Sequence, residues 1–239
     1  MKGHRALVTG GGRGIGEAIA RKLAKEGAKV FITARSIQEL ERVARDIGAD
    51  FDVCDVTMPH QVERLVRKVG PVEILVNNAG LAEAAPIQKM DVDLWHRILD
   101  SNLTSTFLFC KAVVPGMIER GYGRIVNISS IAGKRGAAYI TAYSASKHAI
   151  LGFTSSLAAE IQRHGIVVNA VCPGYVDTKM TELNVTRIAK ATKTPKREIM
   201  LKLMATAGQI KLLAPAHVAE VVCALARPEC LHTGASIDL

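Results

Sequence analysis

The feature that most narrows the fold is a run of glycines between a short apolar segment and a helix-like one. Residues Thr9-Gly10-Gly11-Gly12-Arg13-Gly14-Ile15-Gly16 follow an ALVT run at 6–9 and lead into 15–26, where apolar positions recur at helical spacing. Glycines in a strand-to-helix turn let backbone approach a pyrophosphate closely. The helix N-terminus adds free N–H groups and positive potential. The spacing is GxxxGxG, not GxGxxG, and a tight turn that binds nothing would also use glycine. The unit then repeats. Apolar runs at 29–33, 50–54, 73–76, 124–128, 166–171 and 235–239 alternate with helical patterns at 37–47, 60–69, 101–120 and 142–164. Strands this apolar are buried on both faces, and such alternation joins parallel strands by right-handed crossovers. The chain reads as one doubly wound, Rossmann-like α/β domain over residues 1–239.

The end of the second strand bears on the cofactor. A dinucleotide fold selective for NAD places a carboxylate there, on the ribose 2′-hydroxyl. Here the residues are Thr33-Ala34-Arg35-Ser36, with no acid and an arginine. A guanidinium suits a 2′-phosphate, and Arg13 in the glycine run could meet the same group. Two solvated surface arginines are the alternative. The balance favours NADP(H) over NAD(H).

A second cluster lies downstream. In Tyr143-Ser144-Ala145-Ser146-Lys147, positions i and i+4 share one helix face, so phenol and ammonium can reach one site. A nearby cation favours the phenolate and would bring a phenol toward the working range. Ser130 closes the strand at 124–128, at the carboxyl edge where such folds bind ligands, and can hydrogen-bond a substrate oxygen. Ser129 is its rival. Asn77 and Asn78 close another strand, where their amides can satisfy backbone groups; Asn102, a poor helix former, falls in a predicted helix.

Taken together, Thr9-Gly10-x-x-x-Gly14-Ile15-Gly16, Asp55-Val56, Asn77-Asn78-Ala79-Gly80, Asn102, Ser130, Tyr143-x-x-x-Lys147 and Pro173-Gly174 resemble the short-chain dehydrogenase/reductase family along nearly the whole chain. The resemblance implies a seven-stranded parallel sheet in the order 3-2-1-4-5-6-7 with helices on both faces, and hydride transfer at a nicotinamide. It selects Ser130 over Ser129. It implies Tyr143 as acid/base, Lys147 on the nicotinamide ribose, and Asn102 holding a relay water. Asp55 and Val56 would contact adenine; Asn78, Ala79 and Gly80 would line the cofactor, with Pro173 and Gly174; Val176 and Thr178 would face carboxamide and phosphates. It also implies a homotetramer built through the two long helices, and a short glycine-containing tail after the last strand, where this sequence stops at Leu239.

The substrate is less constrained. Residues 180–211, where the family carries its substrate lid, combine methionine, leucine and isoleucine with lysines. Thr194-Pro195 signals a helix start, Thr194 at N-cap and Pro195 at N1, which puts Lys196 and Arg197 in a first turn that invites an anion. Gly133-Lys134-Arg135-Gly136 adds positive charge after Ser130. The stretches 143–148 and 171–175 are similar to polyketide ketoreductases and 3-oxoacyl thioester reductases. An acyl thioester on phosphopantetheine, carried by CoA or an acidic acyl carrier protein, fits an apolar pocket with a basic rim. The other readings are a secondary-alcohol, 3-hydroxybutyrate or hydroxysteroid dehydrogenase, and a non-catalytic dinucleotide-sensing regulator, which would lack one of Ser130, Tyr143 and Lys147.

Composition removes other classes. The net charge of +9 favours anionic partners, but aromatics at 4% and dispersed basic residues do not suit nucleic acid. Five scattered cysteines without CxxC, and histidines without HExxH, suit reduced thiols and no metal site. No GxSxG is present, as a serine hydrolase would want. Neither a signal-like apolar run nor a stretch of about 18 apolar residues occurs, so the expectation is a cytoplasmic protein off the membrane.

Overall fold

A computed structural model describes residues 1–239. Seven parallel strands form its sheet: β1 (Arg5–Thr9), β2 (Lys29–Ala34), β3 (Asp50–Val53), β4 (Ile74–Asn77), β5 (Gly123–Ile128), β6 (Ile166–Cys172) and β7 (Ser236–Asp238), ordered β3-β2-β1-β4-β5-β6-β7. The helices are α1 (Gly14–Lys25), α2 (Ile37–Ile47), α3 (Pro59–Val69), α4 (Val92–Leu99), α5 (Ser105–Arg120), α6 (Thr141–Ile161), α7 (Lys179–Thr192), α8 (Lys196–Thr206) and α9 (Pro215–Leu225).

The sheet is apolar on both faces because both are covered. Ala6, Val8, Val30 and Ile32 pack with Ile19, Leu23, Leu40 and Val222 on one side. Leu7 and Phe31, the alternate positions of the same strands, pack with Leu65, Phe109, Met117 and Ile161 on the other. Period-two alternation is thus present in space while invisible in hydropathy.

Strand order reverses between β1 and β4, whose registers pair Ala6 with Ile74 and Val8 with Val76. All strands run the same way, so the loops after β1, β4, β5 and β6 meet at one edge, where ligands bind in open α/β sheets.

Several elements lie outside the sequence reading. It expects one helix over 101–120; instead α4 precedes it, capped by Asp91 accepting the Leu94 N–H at 2.6 Å, and a π-helical turn at Asp100–Thr104 joins α4 to α5. The reading also places no helix at α7, within the expected lid, or at α9. Thr194 is not an N-cap. Its N–H bonds the Ala189 carbonyl at 3.2 Å, closing α7 through Lys193 in the left-handed region, so Pro195 itself becomes the N-cap of α8. The first-turn position expected of Lys196 and Arg197 stands. No helix is long and apolar enough to cross a membrane.

Candidate active site

The glycine turn follows β1 and bends back under β4. Gly10 and Gly14 have positive φ, +66° and +57°, where a side chain is strained. A Cβ on Gly10 would stand 2.9 Å from Asn78 Nδ2, and one on Gly16 would strike the Gly10 carbonyl. Asn78 holds this geometry: its Nδ2 donates to the Thr9 carbonyl at 2.9 Å, while the Thr9 hydroxyl accepts the Asn78 and Ala79 N–H groups at 2.9 and 3.0 Å. Thr9 therefore splices the ends of β1 and β4, a role its sequence position, a threonine closing a strand, hints at only weakly. Arg13, the N-cap of α1, gives no side-chain cap, so the first-turn N–H groups are left for another acceptor. Thr178 faces them across the cleft, 3.4 Å from where a Gly14 Cβ would be.

α2 starts against this loop, a Cβ on Gly12 meeting Glu39 at 3.0 Å. Ser36 caps α2, and Arg35, just before it, is exposed without an ion partner. Arg13 pairs loosely with Glu39 at 3.4 Å, so both arginines border the N-terminus of α2. Arg42, which the sequence reading passes over, donates to the Gly12 carbonyl at 3.2 Å and takes both oxygens of Glu17, at 2.8 and 2.6 Å. Its guanidinium holds Glu17 below the usual carboxylate range. Asp55 is spent locally, its carboxylate accepting the Thr57 N–H and hydroxyl at 3.0 and 2.8 Å; Val56 beside it is half-buried.

Ser130, Tyr143 and Lys147 converge at the same edge. The Ser130 hydroxyl makes a long bond to the Pro173 carbonyl, 3.4 Å, and accepts the Ala132 N–H at 3.1 Å. Ser129 is occupied elsewhere, donating to the Lys147 carbonyl at 2.9 Å. Lys147 is 5% exposed; its Nζ donates to the Ile128 carbonyl at 2.8 Å and lies 5.7 Å from the centre of the Tyr143 ring. Burial lowers the ammonium to about 8. The Tyr143 phenol is raised, chiefly by burial, with Tyr175 adding to the rise and a hydrogen bond from Ser130 opposing it. The lowering expected from Lys147 does not set this phenol, because the ammonium is engaged with Ile128.

Asn102 sits in the π-turn, fully buried. Its Oδ1 accepts the Leu81 N–H at 2.7 Å, and its Nδ2 donates to the Leu81 carbonyl at 3.0 Å and to Ser146 Oγ at 2.8 Å. Ser146 passes the bond on to the Tyr143 carbonyl at 2.7 Å. One asparagine therefore ties the loop after β4 to the first turn of α6. Its own main-chain carbonyl, which the relay-water role implied by the resemblance would use, accepts the Thr106 hydroxyl at 2.8 Å. Gly80 lies against both groups: a Cβ there would stand 2.9 Å from Asn102 Oδ1 and 3.7 Å from Lys147 Nζ. Ser146 is signalled only by being a serine on the inner face of a helix.

Val176 is buried, and Thr178 caps α7, accepting the Thr181 N–H at 3.3 Å. Lys134 and Arg135 are drawn to other work, Lys134 to Asp238 at 2.6 Å and Arg135 to the Ala207 carbonyl at 3.2 Å. Arg187 of α7 reaches Glu83 at 3.6 Å. A glycine cradle, an uncapped helix start and a Ser–Tyr–Lys set at one sheet edge are what a dinucleotide oxidoreductase needs.

Residues 4–188 match the short chain dehydrogenase family model. The chain belongs to the short-chain dehydrogenase family. It is therefore an oxidoreductase of that family, whose fold binds nicotinamide dinucleotides. Among its relatives, a putative ketoacyl reductase of Streptomyces coelicolor is 40% identical over 234 residues, 93% of this chain and 90% of that one. The 3-oxoacyl-[acyl-carrier-protein] reductase FabG of Vibrio cholerae is 37% identical across 100% of this chain and 96% of its own. In structure, this family member superposes on actinorhodin polyketide ketoreductase solved with NADPH, TM-score 0.92 and 38% identity, over 99% and 95% of the two chains. Levodione reductase gives 0.93 at 28% identity, over 100% and 96%.

Proposed function

We propose that this oxidoreductase is an NADPH-dependent ketoreductase whose substrate is a 3-oxoacyl thioester. The observation that carries the reading is the Ser130–Tyr143–Lys147 set, with Ser130 and Lys147 buried and Tyr143 half-buried, at the sheet edge that also bears the glycine cradle. Arg13 and Arg35, at a strand end without carboxylate, support the 2′-phosphate and hence NADPH over NADH. The names of the relatives agree in chemistry.

The family resemblance and the geometry support the following roles. The first turn of α1, with Gly14, Ile15 and Gly16, would take the pyrophosphate, and Thr178 would close it from the opposite side. Asp55 and Val56 would border the adenine, and Asn78, Ala79, Gly80, Pro173, Gly174 and Val176 the rest of the cleft. The nicotinamide, when bound, supplies the hydride. The Ser130 hydroxyl, weakly held by Pro173, is available to hydrogen-bond the substrate carbonyl oxygen. Tyr143 keeps its proton because burial raises its phenol, and so can give it to that oxygen. Lys147, drawn from Ile128 toward ribose hydroxyls, would bring its charge to the phenol and ease the transfer. Asn102 would position Tyr143 through Ser146 and hold a water on its carbonyl's remaining lone pair.

Residues 180–211, chiefly α7 and α8, would cover the acyl chain. Lys196 and Arg197, unpaired in the first turn of α8, would meet phosphopantetheine phosphates or an acidic carrier protein. A homotetramer through α5 and α6, in the cytoplasm, completes the reading.

The test is a rate panel: NADPH and NADH oxidation with acetoacetyl-CoA, a simple ketone and a steroid ketone, for wild type and Arg35→Ala. NADPH with acetoacetyl-CoA is expected to lead. Arg35→Ala should weaken NADPH by about 1–3 kcal/mol and leave NADH unmoved. Equal losses for both cofactors would refute the 2′-phosphate assignment, and preference for the simple or steroid ketone would move the substrate to the alcohol or hydroxysteroid class.

A further inference from the structure

The return limb from α8 carries a contact that neither the family motifs nor the catalytic set requires. α8 ends with Gly208 at φ +70°, and the Gln209 N–H bonds back to the Met204 carbonyl at 2.8 Å, which fixes where Gln209 leaves the helix. The Gln209 side chain then pairs with the backbone of Tyr175 on both sides: Oε1 accepts the Tyr175 N–H at 2.7 Å, and Nε2 donates to the Tyr175 carbonyl at 3.3 Å. A side-chain amide here does what a neighbouring strand's peptide would. The fit is close, since a Cβ on Gly174 would stand 2.5 Å from Gln209 Oε1.

The segment so held is the wall of the site. On one flank the Pro173 carbonyl accepts the Ser130 hydroxyl at 3.4 Å and the Ile131 N–H at 3.0 Å. On the other, the Tyr175 carbonyl also accepts the Leu213 N–H at 2.9 Å, and Val176 pairs with Leu213. The Tyr175 phenol is mostly buried and near enough to Tyr143 to bear on that phenol's ionisation. The Tyr175 backbone is thus stitched between the Ser130 segment and the limb that carries α7 and α8 away from the site.

We propose that Gln209 is a positioning residue for substrate selectivity: by pairing with Tyr175 it fixes the wall beside Tyr143, ties that wall to the lid, and so limits the width open to the ketone's substituents. The proposal rests on the reading of Ser130, Tyr143 and Lys147 as a ketone-reducing centre.

Gln209→Met keeps the length of the side chain and removes both hydrogen bonds; Gln209→Glu keeps the acceptor for the Tyr175 N–H. With NADPH, Gln209→Met should raise the kcat/KM ratio of a bicyclic ketone to a small acyclic one about fivefold, with Gln209→Glu in between. Trypsin should cut within residues 190–211 of Gln209→Met several-fold faster without substrate, at a melting temperature within about 3 °C of wild type. An unchanged ketone ratio overturns the selectivity role. So does an equal loss on both ketones with a large drop in melting temperature, which marks a structural contact only. Unchanged proteolysis overturns the tie to the lid. If wild type reduces neither ketone, the reading of the site fails and takes selectivity with it, while the proteolysis rates still decide the tie.

Discussion

α6 and the α7–α8 pair stand on either side of the same cleft and are held in opposite ways. α6 is anchored by buried polar groups: Ser146 to Asn102, the Lys147 carbonyl to Ser129, Lys147 Nζ to Ile128, and Thr154 to Asn127 at 2.9 Å. α7 and α8 share a satellite core of Val185, Ala189 and Ile199, and beyond it the pair is tied to the body by the Gln209–Tyr175 hydrogen bonds and by surface contacts such as Arg187–Glu83. Buried hydrogen bonds are directional and costly to leave unmade, so α6 has one placement. A three-residue core, one paired glutamine and an exposed ion pair define a position less sharply. Under the proposed roles, the chemistry that needs fixed atoms falls to the first and accommodation of a substrate to the second.

The comparison predicts steep effects on α6 and shallow ones on the lid. Tyr143→Phe should lower kcat about a thousandfold while NADPH affinity stays within twofold by titration. More than a tenth of the activity remaining would remove the phenol as the acid. Asn102→Ala strands the Leu81 N–H and carbonyl and removes the bond that Ser146 accepts, and should cost about 3 kcal/mol in denaturant unfolding, along with most of the activity. A loss under about 1 kcal/mol would mean that α6 is not held as described.

Lys147 gives a pH test of its burial. Its folded value near 8 lies below its ordinary 10.5, so between these the unfolded chain binds more protons and stability rises with pH. Below about 8 the lysine is charged in both states and the burial cost is fully present; above 10.5 it is neutral in both. Cys54 and Cys110, pushed up to about 11 and about 12 by burial, act in the opposite direction in the alkaline range. The wild type minus Lys147→Met difference in unfolding free energy isolates the lysine and should move by about 1–3 kcal/mol in favour of wild type from pH 8 to 10. A flat difference would place the ammonium in solvent.

The smallest effect belongs to the lid. Lys196→Glu with Arg197→Glu should raise KM for a CoA thioester several-fold and reduce its salt dependence, leaving KM for a small neutral ketone unchanged. The same change for both substrates would make these residues an ordinary solvated turn, and the contrast between the two regions would rest on packing alone.

What the sequence determined by itself is whatever depends on local stereochemistry and regular spacing. Glycines between a strand and a helix, apolar runs alternating with amphipathic ones, and Tyr143 four residues before Lys147 on a helix are legible because each is a short-range constraint. The doubly wound order followed from these and from the family resemblance. Tertiary structure alone decided which polar group meets which partner. Ser129 turning to the Lys147 carbonyl, Asn102 spanning Leu81 and Ser146, Arg42 gripping Glu17 beneath the glycine turn, and Gln209 pairing with Tyr175 link residues 18 to 44 positions apart. No periodicity encodes such pairs. They exist because the crossovers bring distant loops to one edge, where every buried donor and acceptor must find a partner among whatever the fold has placed there.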